Sequence, residues 1–109
     1  MKTTLKMMLL LMVFSTWSFA CSADEVVGVK IEKMQFVPQT LKIRVGTTVT
    51  WINMEKYNNH SVYFQQESLP ESDRLFPGET WQRVFDKPGV YPYVCGPHPE
   101  MTGTIEVVP

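Results

Sequence analysis

Cysteine and histidine are the scarce residues of this sequence, with two of each among 109. Basic residues are not in excess either: 10 Lys and Arg stand against 11 Asp and Glu, so the electrostatic footprint of a nucleic-acid-binding protein is absent. Helical periodicity is missing over any useful length, as are internal repeats and low-complexity tracts. The longest uninterrupted apolar run, Met7 to Phe14, is less than half of the roughly 20 residues that a membrane-spanning helix needs. What remains is a small chain without a helical bundle, a basic groove or a span.

That apolar run has its own meaning. Lys2 and Lys6 precede it, and a small and polar stretch from Ser15 to Ala23 follows it, which is the order of a secretory signal peptide. The expectation is a signal peptide over residues 1–23 and one domain over 24–109, too short for a second core. Cleavage after Ala20 is the alternative; cleavage after Ala23 also removes Cys21, which would otherwise be a free thiol in an oxidising compartment. A lipid anchor on Cys21 is a rival reading, opposed by Ser18, where bacterial lipoprotein signals usually carry Leu. Loss of Lys2 and Lys6 leaves a mildly acidic chain exported to the periplasm. With Cys21 gone, Cys95 has no disulfide partner and needs another explanation.

Short runs rich in Val, Ile, Thr, Phe, Tyr and Trp, broken by Gly, Pro, Asn and Asp, predict an all-β sandwich or barrel. Strands are expected at 26–33, 41–45, 47–52, 60–64, 79–85, 89–95 and 102–108. Val27, Val29 and Ile31 alternate onto one face, as do Leu41, Ile43 and Val45. Gly46 and Pro88-Gly89 read as hairpin corners. The stretch 65–78, with Pro70 and Pro77, reads as a surface connection.

The chemistry concentrates in Cys95-Gly96-Pro97-His98-Pro99-Glu100-Met101, where a thiol, an imidazole and a thioether recur every third residue. A loop of that length can turn all three toward one point, and a sandwich could bring His60 across to meet them. Singly, a buried Cys is usually a small hydrophobe, a Met core filler and a His a hydrogen-bonded residue. Together, His60, Cys95, His98 and Met101 form the ligand set of a type 1 (blue) copper site. Structural zinc rarely takes a thioether, and Glu100 is expected to point outward.

Residues 89–101 resemble the copper loop of the cupredoxins. The two-residue gap between His98 and Met101 matches the short amicyanin type rather than the longer plastocyanin one. The resemblance runs upstream through Phe36, Pro38, Leu41, Gly46, Val49, Trp51, Asn53 and His60, and through Pro77-Gly78 and Trp81. It implies a Greek-key β-sandwich of about 7–8 strands and one copper ion that carries single electrons between redox proteins. A c-type cytochrome or a periplasmic oxidoreductase is the expected partner, with His98 as the port and Pro99 in the docking patch. The chain is expected to be a monomer and not an enzyme, since the protein fills every position around the metal.

Two departures stand out: Ser61 replaces the Asn usual after the first ligand His, and Pro92 implies a sheet edge or bulge. Glu67, Glu71 and Asp73 read either as a solvated loop or as a steering surface for a basic partner. Trp51, Trp81, Tyr91 and Tyr93 are expected in the core rather than as electron relays. A copper-delivery module is the alternative function, but no Met- or His-rich tract follows residue 23. A metal-free structural domain would be marked by a missing ligand, and none is missing.

Overall fold

The computed structural model describes residues 25–109, so the signal-peptide reading, its cleavage sites and Cys21 lie outside the described residues. Seven strands follow in order: β1 Val26–Glu32, β2 Gln35–Val37, β3 Thr40–Arg44, β4 Thr47–Asn53, β5 Thr80–Phe85, β6 Gly89–Val94 and β7 Thr102–Val108. They build two sheets, one ordered β2-β1-β4-β5 and the other β3-β7-β6. The β1–β4 and β3–β7 pairs are parallel and the rest antiparallel. This is the expected all-β sandwich. Among the described residues no helix is long and apolar enough to cross a membrane.

Alternation decides which side chains meet between the sheets. Along β4, Thr47, Val49, Trp51 and Asn53 are buried while the residues between them are half-buried, as the period of two along a strand requires. Val29 and Ile31 of β1, Ile43 of β3, Phe85 of β5, Tyr93 of β6, and Ile105 and Val107 of β7 join Val49 and Trp51 in one core. Leu41, Trp81 and Tyr91 pack partly buried against it. Val45 is 40% exposed and turns out of the face predicted for it. The aromatic residues therefore take the core roles expected of them.

Three sequence expectations need correction. Residues 60–64 do not form a strand: His60 bridges to Leu75 and Tyr63 to Val94, each alone. The segment changes partner along its length, so no continuous ladder develops. Gly46 and Pro88-Gly89 are not hairpin corners, because β3 and β4, like β5 and β6, belong to different sheets. They are the corners at which the chain crosses the sandwich. β2 escaped notice, being three residues long with only Phe36 buried. Pro92 does lie where its missing N–H demands, on β6 at a sheet edge.

Two packing devices fix this core. Gly103 pairs with Tyr93 across β6 and β7, and a methyl group at Gly103 would overlap the Tyr93 ring. The glycine leaves room for the ring to lie over the strand. Arg83 stacks on Phe64, Phe85 and Tyr91, with its guanidinium carbon 4.4, 4.5 and 5.3 Å from their centroids, and forks onto Glu67 at 2.6 and 2.7 Å. Bidentate pairing and cation–π contact make this more than an ordinary surface ion pair. Glu67 is thus committed to the fold and is not free for steering.

Burial holds the Tyr93 phenol well above its ordinary value of 10.0, and the neighbouring Trp51 offsets only part of that. The folded protein keeps the proton at alkaline pH while the unfolded chain gives it up near the ordinary value. Stability is therefore expected to fall as pH rises beyond that point. Urea midpoints measured between about pH 8 and 11 check this. Tyr93→Phe should flatten the decline, and an unchanged decline in that variant would assign it to other groups.

Candidate metal centre

The site forms at one end of the sandwich, where β4 and β6 run out. β4 ends at Asn53, which is fully buried, and its side-chain nitrogen donates to the Asn58 carbonyl at 2.8 Å and the Leu75 carbonyl at 2.9 Å. One amide thus ties the loop before His60 to the segment beside it. His60 and Leu75 then exchange both backbone hydrogen bonds, at 3.1 and 2.7 Å, which sets the imidazole facing inward. Tyr63 and Val94 exchange bonds at 2.9 and 3.0 Å. That second tie fastens the His60 segment to the strand leading into Cys95.

Residues 95–101 close on themselves. The His98 N–H donates to the Cys95 carbonyl at 3.2 Å, the Met101 N–H to the His98 carbonyl at 2.8 Å, and the Cys95 N–H to the Met101 carbonyl at 3.0 Å. The loop that holds the thiol, imidazole and thioether is therefore fixed by its own backbone. Cys95 and His60 are fully buried, Met101 is buried, and His98 is half-buried at the outer side. Pro99 and Glu100 are exposed, Glu100 as expected.

The structure brings His60, Cys95 and His98 together with their donor atoms within 4.8 Å of one another. Cys95 Sγ lies 3.5 Å from His60 Nδ1 and 3.6 Å from His98 Nδ1. Both imidazoles turn the same nitrogen toward the sulfur. Met101 sits at the end of the same closed loop, its backbone bonded to both Cys95 and His98.

Electrostatics favours neutral groups here. Burial pushes the His60 imidazole below its ordinary 6.5, with His98 adding to the effect and Glu55 opposing it. Burial pushes the Cys95 thiol up, against backbone N–H groups of Ser61 and His98 and the charge of Arg74, with Glu71 adding to the rise. A metal needs neutral imidazole and ionised thiol. Burial supplies the first, and a cation between the three donors would supply the charge that the second lacks. The residues fit a thiophilic cation of small coordination number.

Two acidic residues that the sequence reading left out of the site belong to it. Glu55, largely buried, places a carboxylate oxygen 3.5 Å from His60 Nε2 and accepts the Met34 N–H at 2.7 Å. It stands where a supporting carboxylate orients a ligand imidazole. Glu71 accepts the Ser61 hydroxyl at 2.5 Å, so the 67–73 acidic stretch is neither a free solvated loop nor an open steering surface at this residue. Only proximity in sequence to His60 hinted at Glu55, and nothing hinted at Glu71.

Comparison with known proteins agrees with this geometry. Residues 23–108 match the family model described as copper binding proteins of the plastocyanin/azurin family. Amicyanin-alpha of Methylorubrum extorquens is 39% identical over 83 residues, covering 72% of this chain and 69% of that protein. Amicyanin of Paracoccus denitrificans is 36% identical over 97 residues, covering 85% and 73%. The solved reduced form of a single-substitution amicyanin variant superimposes with a TM-score of 0.72 at 33% identity, covering 79% of this chain and 85% of that one. A copper-containing nitrite reductase from Thermus scotoductus gives a TM-score of 0.71 at 32% identity, over 76% of this chain but only 22% of the enzyme.

Proposed function

Since the chain belongs to the plastocyanin/azurin family of copper-binding proteins, we propose that His60, Cys95, His98 and Met101 hold its single type 1 copper ion. The protein is a blue-copper electron carrier, and copper is its cofactor. When bound, copper supplies a one-electron couple in which two neutral imidazoles and one thiolate leave a net charge of +1 oxidised and zero reduced. The observation that carries the assignment is the convergence of two Nδ1 atoms on one buried Sγ.

The chain's own residues suit repeated electron exchange. The closed 95–101 loop and the Asn53 tie hold the donors in one arrangement, which limits rearrangement between oxidation states. Burial disfavours the charged state and so favours reduction. Half-buried His98 gives the electron a short path to the surface without opening the site to water.

Its partners are redox proteins, and we assign them the class of c-type cytochromes or periplasmic oxidoreductases. Exposed Pro99 next to His98, with exposed Tyr57 and Phe76 on the loops flanking His60, would supply an apolar docking patch. The chain would act as a monomer in the periplasm, with residues 1–23 as signal peptide and 24–109 as the mature domain. The reading is a carrier rather than an enzyme: similarity to the nitrite reductase extends over a domain-sized part of it, and four protein ligands leave no place for substrate.

Addition of copper(II) to the protein is expected to produce an intense red-absorbing band, and ascorbate should bleach it reversibly. A protein that stays colourless and binds copper weakly would favour metal delivery over electron transfer.

A further inference from the structure

Ser61 stands where cupredoxins usually have Asn, and its surroundings form a closed arrangement. The Gly96 N–H donates to Ser61 Oγ at 2.8 Å, so the hydroxyl must accept there. Its proton is then directed at Glu71 Oε1, 2.5 Å away. The direction of the chain of bonds is fixed: amide to hydroxyl to carboxylate. Ser61 is fully buried, and Gly96 follows Cys95 in the chain.

Gly96 is matched to this carboxylate. A methyl group there would overlap both the Glu71 carboxylate and Ser61 Oγ, so the absence of a side chain lets Glu71 lie against the loop. Arg74 approaches the same oxygen at 3.7 Å, but its side chain is 51% exposed, whereas that of Glu71 is 33% exposed. The positive charge is the better solvated of the two, and at Cys95 it acts in the opposite sense to Glu71.

We propose that Glu71 is a positioning residue for the copper centre: through Ser61 it fixes Gly96, and its carboxylate sets a negative charge beside Cys95 that lowers the reduction potential. This rests on the copper assignment above. A negative charge favours the more positive, oxidised state, and an adjacent cation opposes it. Charge-assisted hydrogen bonding keeps the carboxylate in place, and supporting groups of this kind tune metal sites.

The test uses the copper-loaded protein and its Glu71→Gln and Arg74→Gln variants, with redox titration at low salt. Glu71→Gln is nearly isosteric and keeps an acceptor for Ser61, so it removes charge with little change of shape. It is expected to shift the reduced-to-oxidised ratio at fixed poise about three- to tenfold toward copper(I), a rise of ~30 to 60 mV at ~59 mV per tenfold. Arg74→Gln should move the potential the other way. Ser61→Ala should speed hydrogen exchange of the Gly96 amide in the copper(I) protein, reporting the positioning role separately. A Glu71→Gln shift below twofold, or one in the same direction as Arg74→Gln, overturns the potential-setting role. If that happens while every variant keeps its red-absorbing band, the copper assignment stands and only the role of Glu71 fails. A wild-type protein without the band overturns both.

Discussion

Cys95→Ser is expected to remove the red-absorbing band completely and to end copper-dependent electron exchange, while leaving the fold in place. The hydroxyl is close to the thiol in size, and the loop around it is held by backbone bonds that do not use the side chain. Chemistry changes where shape does not. A thiolate is a soft, anionic donor for copper, whereas a serine hydroxyl keeps its proton at neutral pH and offers no comparable charge transfer. Copper affinity should fall by more than the ~10–100-fold that loss of a mere supporting hydrogen bond costs.

The comparison that gives this result its meaning is Met101→Leu, which keeps the buried volume but removes the thioether. A thioether is a weak donor for copper, so Met101 would tune the band and potential rather than create them. Absorption spectra of the three proteins with equal copper(II) check the ordering. A band that survives in Cys95→Ser would place the chromophore elsewhere and sink the assignment of the centre.

The legible and illegible parts of this protein divide along physical lines. β1 and β7 could be read because each is long enough to alternate, and β4 because Val49 and Trp51 recur at the strand period. β2 was too short to display a pattern, and its Phe36 alone carries the burial. The 60–64 segment carries the Val, Tyr and Phe of a strand and is buried almost throughout, yet His60 and Tyr63 pair with different neighbours. Periodicity reports which side chains face inward; it does not report whether a backbone finds one partner or two. The same limit explains Gly46 and Gly89, whose turn chemistry was clear while the sheet that each chain entered next was not.

The site divides in the same way. Cys95, His98 and Met101 could be proposed together because one seven-residue loop carries them, and His60 because it is the other histidine of the sequence. Their supports, Glu55 and Glu71, act across a fold that no local spacing encodes. Ser61 was recognisable as a departure, but its partner Glu71 lies ten residues on in a loop whose path depends on Ser72 and Leu75 being buried. Ligands of a compact loop are written locally; what orients them is tertiary.

Trp51→Ala is expected to be the most damaging single core substitution. Trp51 is fully buried on β4 and meets Tyr93 of β6 edge-on at 5.5 Å, with Phe64, Trp81 and Phe85 at 6.1, 5.3 and 6.5 Å. It thus joins a strand of one sheet to a strand of the other. Removing so large a side chain typically costs ~3–5 kcal/mol, set against a total of only ~5–15 kcal/mol for a domain. At a urea slope of ~1–2 kcal/mol/M, the midpoint of the metal-free protein should fall by roughly 1.5–5 M. Trp81→Ala, made at a half-buried position, should cost clearly less. The consequence reaches the metal centre, because β4 ends at the Asn53 tie and β6 runs into Cys95, so a loosened sandwich must hold its donors less well. Copper binds the folded chain preferentially and should restore part of the loss. A Trp51→Ala midpoint within about 0.5 M of wild type would mean that the sheets are held by other contacts and that the donor geometry does not depend on this residue.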